Sequence, residues 1–169
     1  VMRLNSDLAN DIGNLCQRIL TMISKNCAAQ VPTKGAFISE DHTLLEAAAD
    51  MLEVTRTHLD KQSFHNALID IWKVVGDANR YVDTMAPWTL RKEDPDRMAT
   101  VLYVLAETIR RLGLIVQPFI PDAAASILDL RAVEEDKRSF AYFDEVLESG
   151  VALTTPEPIF PRFVEGEVV

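Results

Sequence analysis

The chain has 169 residues, 48% hydrophobic and 25% charged, enough to bury one sizeable core and too apolar for a disordered protein. A net charge of −9 argues against nonspecific wrapping of nucleic acid, whose phosphates such a surface repels on average, but leaves one specific local contact open. No stretch nears the roughly 20 apolar residues of a membrane span, and the opening "VMRLNSD" lacks the apolar region of a signal peptide. Because the first residue is not methionine, the chain is expected to be part of a longer protein.

The first predicted helix covers residues 5–26, with Asn5 or Ser6 as its cap. Leu8, Ile12, Leu15, Cys16, Ile19 and Ile23 recur at steps of three and four and make one apolar stripe. Cys16 lies on that stripe and reads as a buried thiol. Cys27 lies eleven positions further on, too far along a helix for a disulfide, which fits a reducing compartment and leaves no zinc ligand set. "CAAQVPTKGAF" breaks the pattern with Pro32 and Gly35.

A second helix starts near Asp41 and carries Leu44, Leu45, Ala48, Met51, Leu52, Thr55 and Leu59. The third spans residues 63–85, with Phe64, Leu68, Ile71, Val75, Ala78 and Val82 on one face and Trp72 at its flank. Asp94-Pro95, a cap followed by proline at the first helical position, opens the fourth. There Met98, Val101, Leu102, Leu105, Ile109, Leu112 and Val116 hold the stripe until Gln117-Pro118. Pro121 opens a shorter fifth helix to about residue 130. From Gly150 onward, prolines and β-branched residues predict an extended segment or a short strand. The whole reads as all-α: an antiparallel bundle of about five helices with an extended C-terminal tail. Residues 1–132 form the bundle and 133–169 pack back on it within the same domain.

Catalytic chemistry finds little support. His42, His58 and His65 fall on helix surfaces without a paired nucleophile motif, and neither a P-loop nor GxGxxG occurs. Glu134-Glu135-Asp136 reads as a solvated charge run. Trp88 is harder to place. In "DTMAPWTL" (83–90) it follows a helix-ending proline, so it either tucks over the end of the bundle or offers a flat stacking platform whose approach Pro87 fixes. Asn14 and Arg18, spaced i,i+4, share a face away from the apolar stripe, beside Asp7, Asp11, Thr21 and Lys25. Such a pair belongs either to a surface salt-bridge face or to a device for reading base edges, since Arg donates bidentately and Asn both donates and accepts. Stacking plus edge contacts is how single-stranded RNA loops are read. Arg18, Lys25, Arg80, Arg91, Lys92 and Arg97 flank the region, predicting a locally positive or neutral patch around Trp88.

"NSDLANDIGNLCQR" (5–18), "DANRYVDTMAPW" (77–88) and "PIFPR" (158–162) together resemble the C-terminal anticodon-binding region of the methionyl-tRNA synthetases, which are class I enzymes. The first motif is similar to those of the helical anticodon domains for leucine, isoleucine, valine and cysteine, and "NRYVD..APW" favours methionine. The resemblance implies that Asn14, Arg18 and Trp88 form an anticodon-reading site with Pro87 shaping its corner. Trp88 would stack on the first base of CAU, and Asn14 and Arg18 would bond the edges of that base and its neighbour. The "HIGH"-type and "KMSKS"-type signatures are missing, so the chain alone is expected to hold no catalytic residues, no metal and no cofactor, while the whole ligase uses ATP and Mg. Implied partners are the anticodon loop of tRNA(Met) and the catalytic half of the same protein, with no membrane. The implied location is a bacterial cytoplasm or, alternatively, an organellar matrix. In the tail "PEPIFPRF", Ile159, Phe160 and Phe163 are expected to pack along the bundle and help hold it against the catalytic half. A helical protein-interaction module anchored by Trp88, or the anticodon domain of another class I synthetase, is the alternative.

Overall fold

The structure, a computed structural model, describes residues 11–130 and 133–154. Among them are six α-helices: α1 (Asn14–Asn26), α2 (Ser39–Asp60), α3 (Phe64–Met85), α4 (Pro87–Glu93), α5 (Pro95–Val116) and α6 (Pro121–Leu130). Two 3-10 turns follow, Glu135–Lys137 and Phe140–Tyr142. Among the described residues, most positions of the predicted stripes are covered. Ile12, Leu15, Cys16, Ile19 and Ile23 are fully buried, and Leu44, Ala48, Met51 and Leu52 join them from α2. Ile71, Val75, Ala78 and Val82 complete the layer from α3. Trp72 is half-buried against this core. No described helix is long and apolar enough to cross a membrane.

The central element is α5, which packs against α1, α2, α3, α4 and α6. Residues 100–116 are buried on every side, so this part of the helix has no solvent face. Its close approach to α6 depends on Gly113, where an added Cβ would lie 2.9 Å from Leu128 Cδ2. Full burial also takes Glu107, Arg110 and Arg111 into the interior, where they compensate one another. Glu107 Oε1 accepts from Arg110 Nη2 at 2.7 Å and Arg111 Nε at 2.9 Å, and Oε2 accepts from Arg110 Nε at 3.0 Å.

The same cluster fastens the segment after α6. Arg110 donates to the carbonyls of Tyr142, Phe143 and Glu145, Leu147 N–H donates to Glu107 Oε2, and Tyr103 Oη donates to the Leu147 carbonyl. Phe143 is fully buried with the Arg111 guanidinium 5.5 Å from its ring centroid. Further on, Val31 N–H donates to Val151 O and Leu153 N–H to Ala29 O, both at 2.8 Å, flanking a single antiparallel bridge between Gln30 and Ala152. Of the extended segment or short strand expected from Gly150 onward, the described residues show this one bridge, and residues 155–169, with Ile159, Phe160 and Phe163, lie outside them.

Two points differ from the sequence reading. The Pro87 corner starts a helix of its own, α4, between the third and fourth predicted helices, because proline at a first helical position ends one helix and starts the next. Phe64 is 57% exposed: it is the first residue of α3, directly after the turn from α2, and stands outside the core. Of the first predicted helix, the described residues show a π turn at 11–13 and then α1, while Asn5, Ser6, Asp7 and Leu8 lie outside them.

Candidate nucleic-acid interface

Helix α3 ends where Ala86 takes a left-handed conformation, φ 43° and ψ 58°, which costs a residue with a Cβ about 1–2 kcal/mol. Ala86 N–H still closes α3 on Val82 O at 3.0 Å, and the Ala86 carbonyl already accepts Thr89 N–H at 2.8 Å. One residue therefore closes one helix and opens the next. Pro87, with its fixed φ, starts α4 and is buried. Trp88 comes next and is 49% exposed, while Leu90 turns back onto the core. The proline fills the corner and the indole stands out from it. Trp88 is thus half exposed at the corner and not enclosed by the bundle.

Arg18 on α1 is tied to this corner: its Nη2 donates to Asp83 Oδ1 at 3.1 Å, in the last turn of α3. Asp83 is largely exposed and Arg18 about one-third so, a setting in which an ion pair contributes about 0–1 kcal/mol and is easily exchanged. Asn14 is exposed one turn earlier on α1. The i,i+4 pair therefore faces solvent, and its arginine bridges two helices rather than pairing along its own. Arg80 pairs with Asp77. None of the salt bridges among the described residues takes Lys25, Arg91 or Lys92.

Arg97 departs from its expected place in the surface patch. It turns inward and grips Asp41 with both ends of its guanidinium, Nη1 to Oδ2 at 2.6 Å and Nη2 to Oδ1 at 2.7 Å. Asp41 is fully buried in the first turn of α2. Its carboxylate also accepts the Tyr81 hydroxyl from α3 and the Ile38 N–H at the start of its own helix. Sequence reasoning missed this group, although Asp41 in the first turn of its helix resembles a capping residue. Periodicity does not distinguish a capping aspartate in solvent from one enclosed by two other helices.

Burial by itself would push the Asp41 carboxyl up, but the hydrogen bonds from Arg97, Tyr81 and Ile38 outweigh it and hold it below the usual carboxylate range. Burial and the same carboxylate push the Tyr81 phenol up. A depressed carboxyl binds its proton less readily folded than unfolded. Its contribution is therefore fully present above the unfolded value of about 3.9 and lost as pH falls from there through the folded value. Asp41→Asn should be less stable than the wild type at pH 7, and the gap should narrow below about pH 4. Urea melts from pH 7 downward would show this, and a gap constant at all pH values would contradict the assignment.

The remaining candidates for chemistry stay apart. His42 and His65 are exposed, and His58 Nε2 lies 2.8 Å from Asp70 Oδ2 between α2 and α3. Cys16 is buried and Cys27 half-buried, and burial pushes the Cys27 thiol up. Among the described residues no His, Cys, Asp and Glu cluster has the makings of a metal site.

The sequence and the fold both match known proteins. The sequence model described as "Anticodon binding domain of methionyl tRNA ligase" matches residues 31–168. A methionine–tRNA ligase of Brucella suis biovar 1 is 52% identical over 168 residues, 99% of this chain and 33% of that protein. One from Rhizobium meliloti is 48% identical over 98% of this chain and 32% of its own length. The crystal structure of apo Mycobacterium tuberculosis methionyl-tRNA synthetase superposes with a TM-score of 0.94 at 44% identity, covering 96% of this chain and 34% of that one. The same synthetase with methionyl-adenylate gives 0.93. The chain spans about a third of the length of the curated relatives it matches, and it belongs to the family of methionyl-tRNA ligase anticodon-binding domains.

Proposed function

We propose that this chain reads the CAU anticodon loop of tRNA(Met) for a ligase that joins methionine to that tRNA using ATP and Mg. The observation that carries the reading is the inverted burial at the corner: Pro87 is buried and Trp88 is half exposed. A tryptophan needed only for packing gains nothing from that arrangement, whereas one that stacks on an unpaired base requires it. The exposed Asn14 and the exchangeable Arg18–Asp83 pair support the second half of the reading, in which Asn14 and Arg18 bond base edges beside the indole. Arg91 and Lys92, in the last turn of α4, stand close in sequence to the corner as cations for phosphates. The ligase chemistry would reside in a catalytic domain of the same protein, and a bacterial cytoplasm suits its substrates, with an organellar matrix as the alternative. Residues 133–169 belong in this reading to the same domain as the bundle, with the tail against the catalytic half.

Titrating a CAU stem-loop and a scrambled-loop control against tryptophan fluorescence tests the proposal. Quenching selective for CAU supports it. Equal indifference to both RNAs favours a protein partner for Trp88 instead. Asn14→Ala and Arg18→Ala should each reduce the preference for CAU over altered anticodons by about 1–3 kcal/mol per lost edge contact. Melting temperatures should hardly move, because both side chains reach solvent. Loss of affinity spread evenly over all loops would reassign Arg18 to the RNA backbone.

A further inference from the structure

The Asp41 carboxylate holds both ends of the stretch that contains Trp88. Tyr81, in the last turns of α3, donates to it from before the corner, and Arg97, in the first turn of α5, donates to it from after the corner. Arg97 Nη2 also lies 3.5 Å from Met85 Sδ, one residue before the strained Ala86. Its own N–H is capped by Asp94 Oδ1 at 2.9 Å, which fixes the start of α5. Residues 82–96, the whole of α4 included, thus form a loop closed on one buried anion. A left-handed alanine persists only where its surroundings over-determine it, and these contacts do so on both sides.

We propose that Asp41, Arg97 and Tyr81 are positioning residues for Trp88: through the closed loop they set the orientation of the indole before RNA arrives. The inference rests on the base-stacking reading above for its effect on RNA, but its effect on the indole is independent of that reading. Pre-set orientation matters because ordering a platform at the moment of binding subtracts from affinity. Arg97→Lys keeps the charge on Asp41 but removes the two-pronged grip, so it loosens the loop without leaving a buried carboxylate alone.

The test uses the 169-residue chain with Trp72→Phe, which makes Trp88 the sole tryptophan. Without RNA, acrylamide quenching of Trp88 should change in Arg97→Lys. CAU stem-loop affinity should fall about threefold to tenfold in the same variant. In a double-mutant cycle in the Trp72-containing chain, adding Arg97→Lys to Trp88→Ala should cost no further affinity, because the arginine acts through the indole. Unchanged quenching, or losses that multiply in the cycle, would overturn the proposal even if melting fell. If Arg97→Lys does not fold, Tyr81→Phe, which removes a single hydroxyl, is put through the same measurements, and the same outcomes support or overturn the proposal. Should Trp88→Ala itself bind CAU normally, the base-stacking reading falls, and quenching without RNA alone decides the positioning role.

Discussion

Alanine in place of Trp88 should lower affinity for a CAU stem-loop roughly tenfold to a hundredfold, because base–aromatic stacking contributes about 1–3 kcal/mol per base. Stability should change by no more than about 1 kcal/mol, since half of the side chain already meets solvent. A tryptophan that served the core would behave in the opposite way, losing about 3–5 kcal/mol of stability on truncation. Pro87 underlies this asymmetry. It fills the buried side of the corner, so deleting the indole leaves the seat of α4 in place. Melting and stem-loop affinity measured on one sample of the variant separate the two roles. A destabilised protein with normal CAU selectivity would remove Trp88 from the reading site.

The largest expected loss of stability lies away from the interface. Glu107→Ala should cost about 3–5 kcal/mol, because it strands two buried guanidiniums, Arg110 and Arg111, without their shared counter-charge. For a chain of this length that is a fall in melting temperature of roughly 6–20 °C. The loss should also release the segment after α6, whose Leu147 N–H uses the same carboxylate and whose carbonyls depend on Arg110. Limited proteolysis should then cut within residues 140–150 before the bundle unfolds. Glu107→Gln, which keeps the shape and part of the hydrogen bonding, should fall between the two. Unaltered melting in Glu107→Ala would mean that the arginines find other compensation.

Local patterns along the chain account for most of the helical layout. Stripes at three- and four-residue spacing fixed which faces of α1, α2 and α3 turn inward, because such a stripe has no stable alternative to burial. Asp94-Pro95 marked the start of α5 through two local rules, a side-chain cap and a proline whose missing donor costs nothing there. The corner was legible in part, since Pro87 and Trp88 stand side by side, but helix α4 and their opposite burial appear only in the structure. What happens where several helices meet depends instead on the assembled fold. Periodicity shows one buried face of α5 but not that five neighbours would cover residues 100–116 on every side, drawing Glu107, Arg110 and Arg111 inside. Likewise, Arg97 reads as one of several surface cations until Asp41 and Tyr81, from helices 56 and 16 residues earlier, converge on it. A charge is stable inside only when partners from distant parts of the chain arrive together, and no local pattern in the sequence records that meeting.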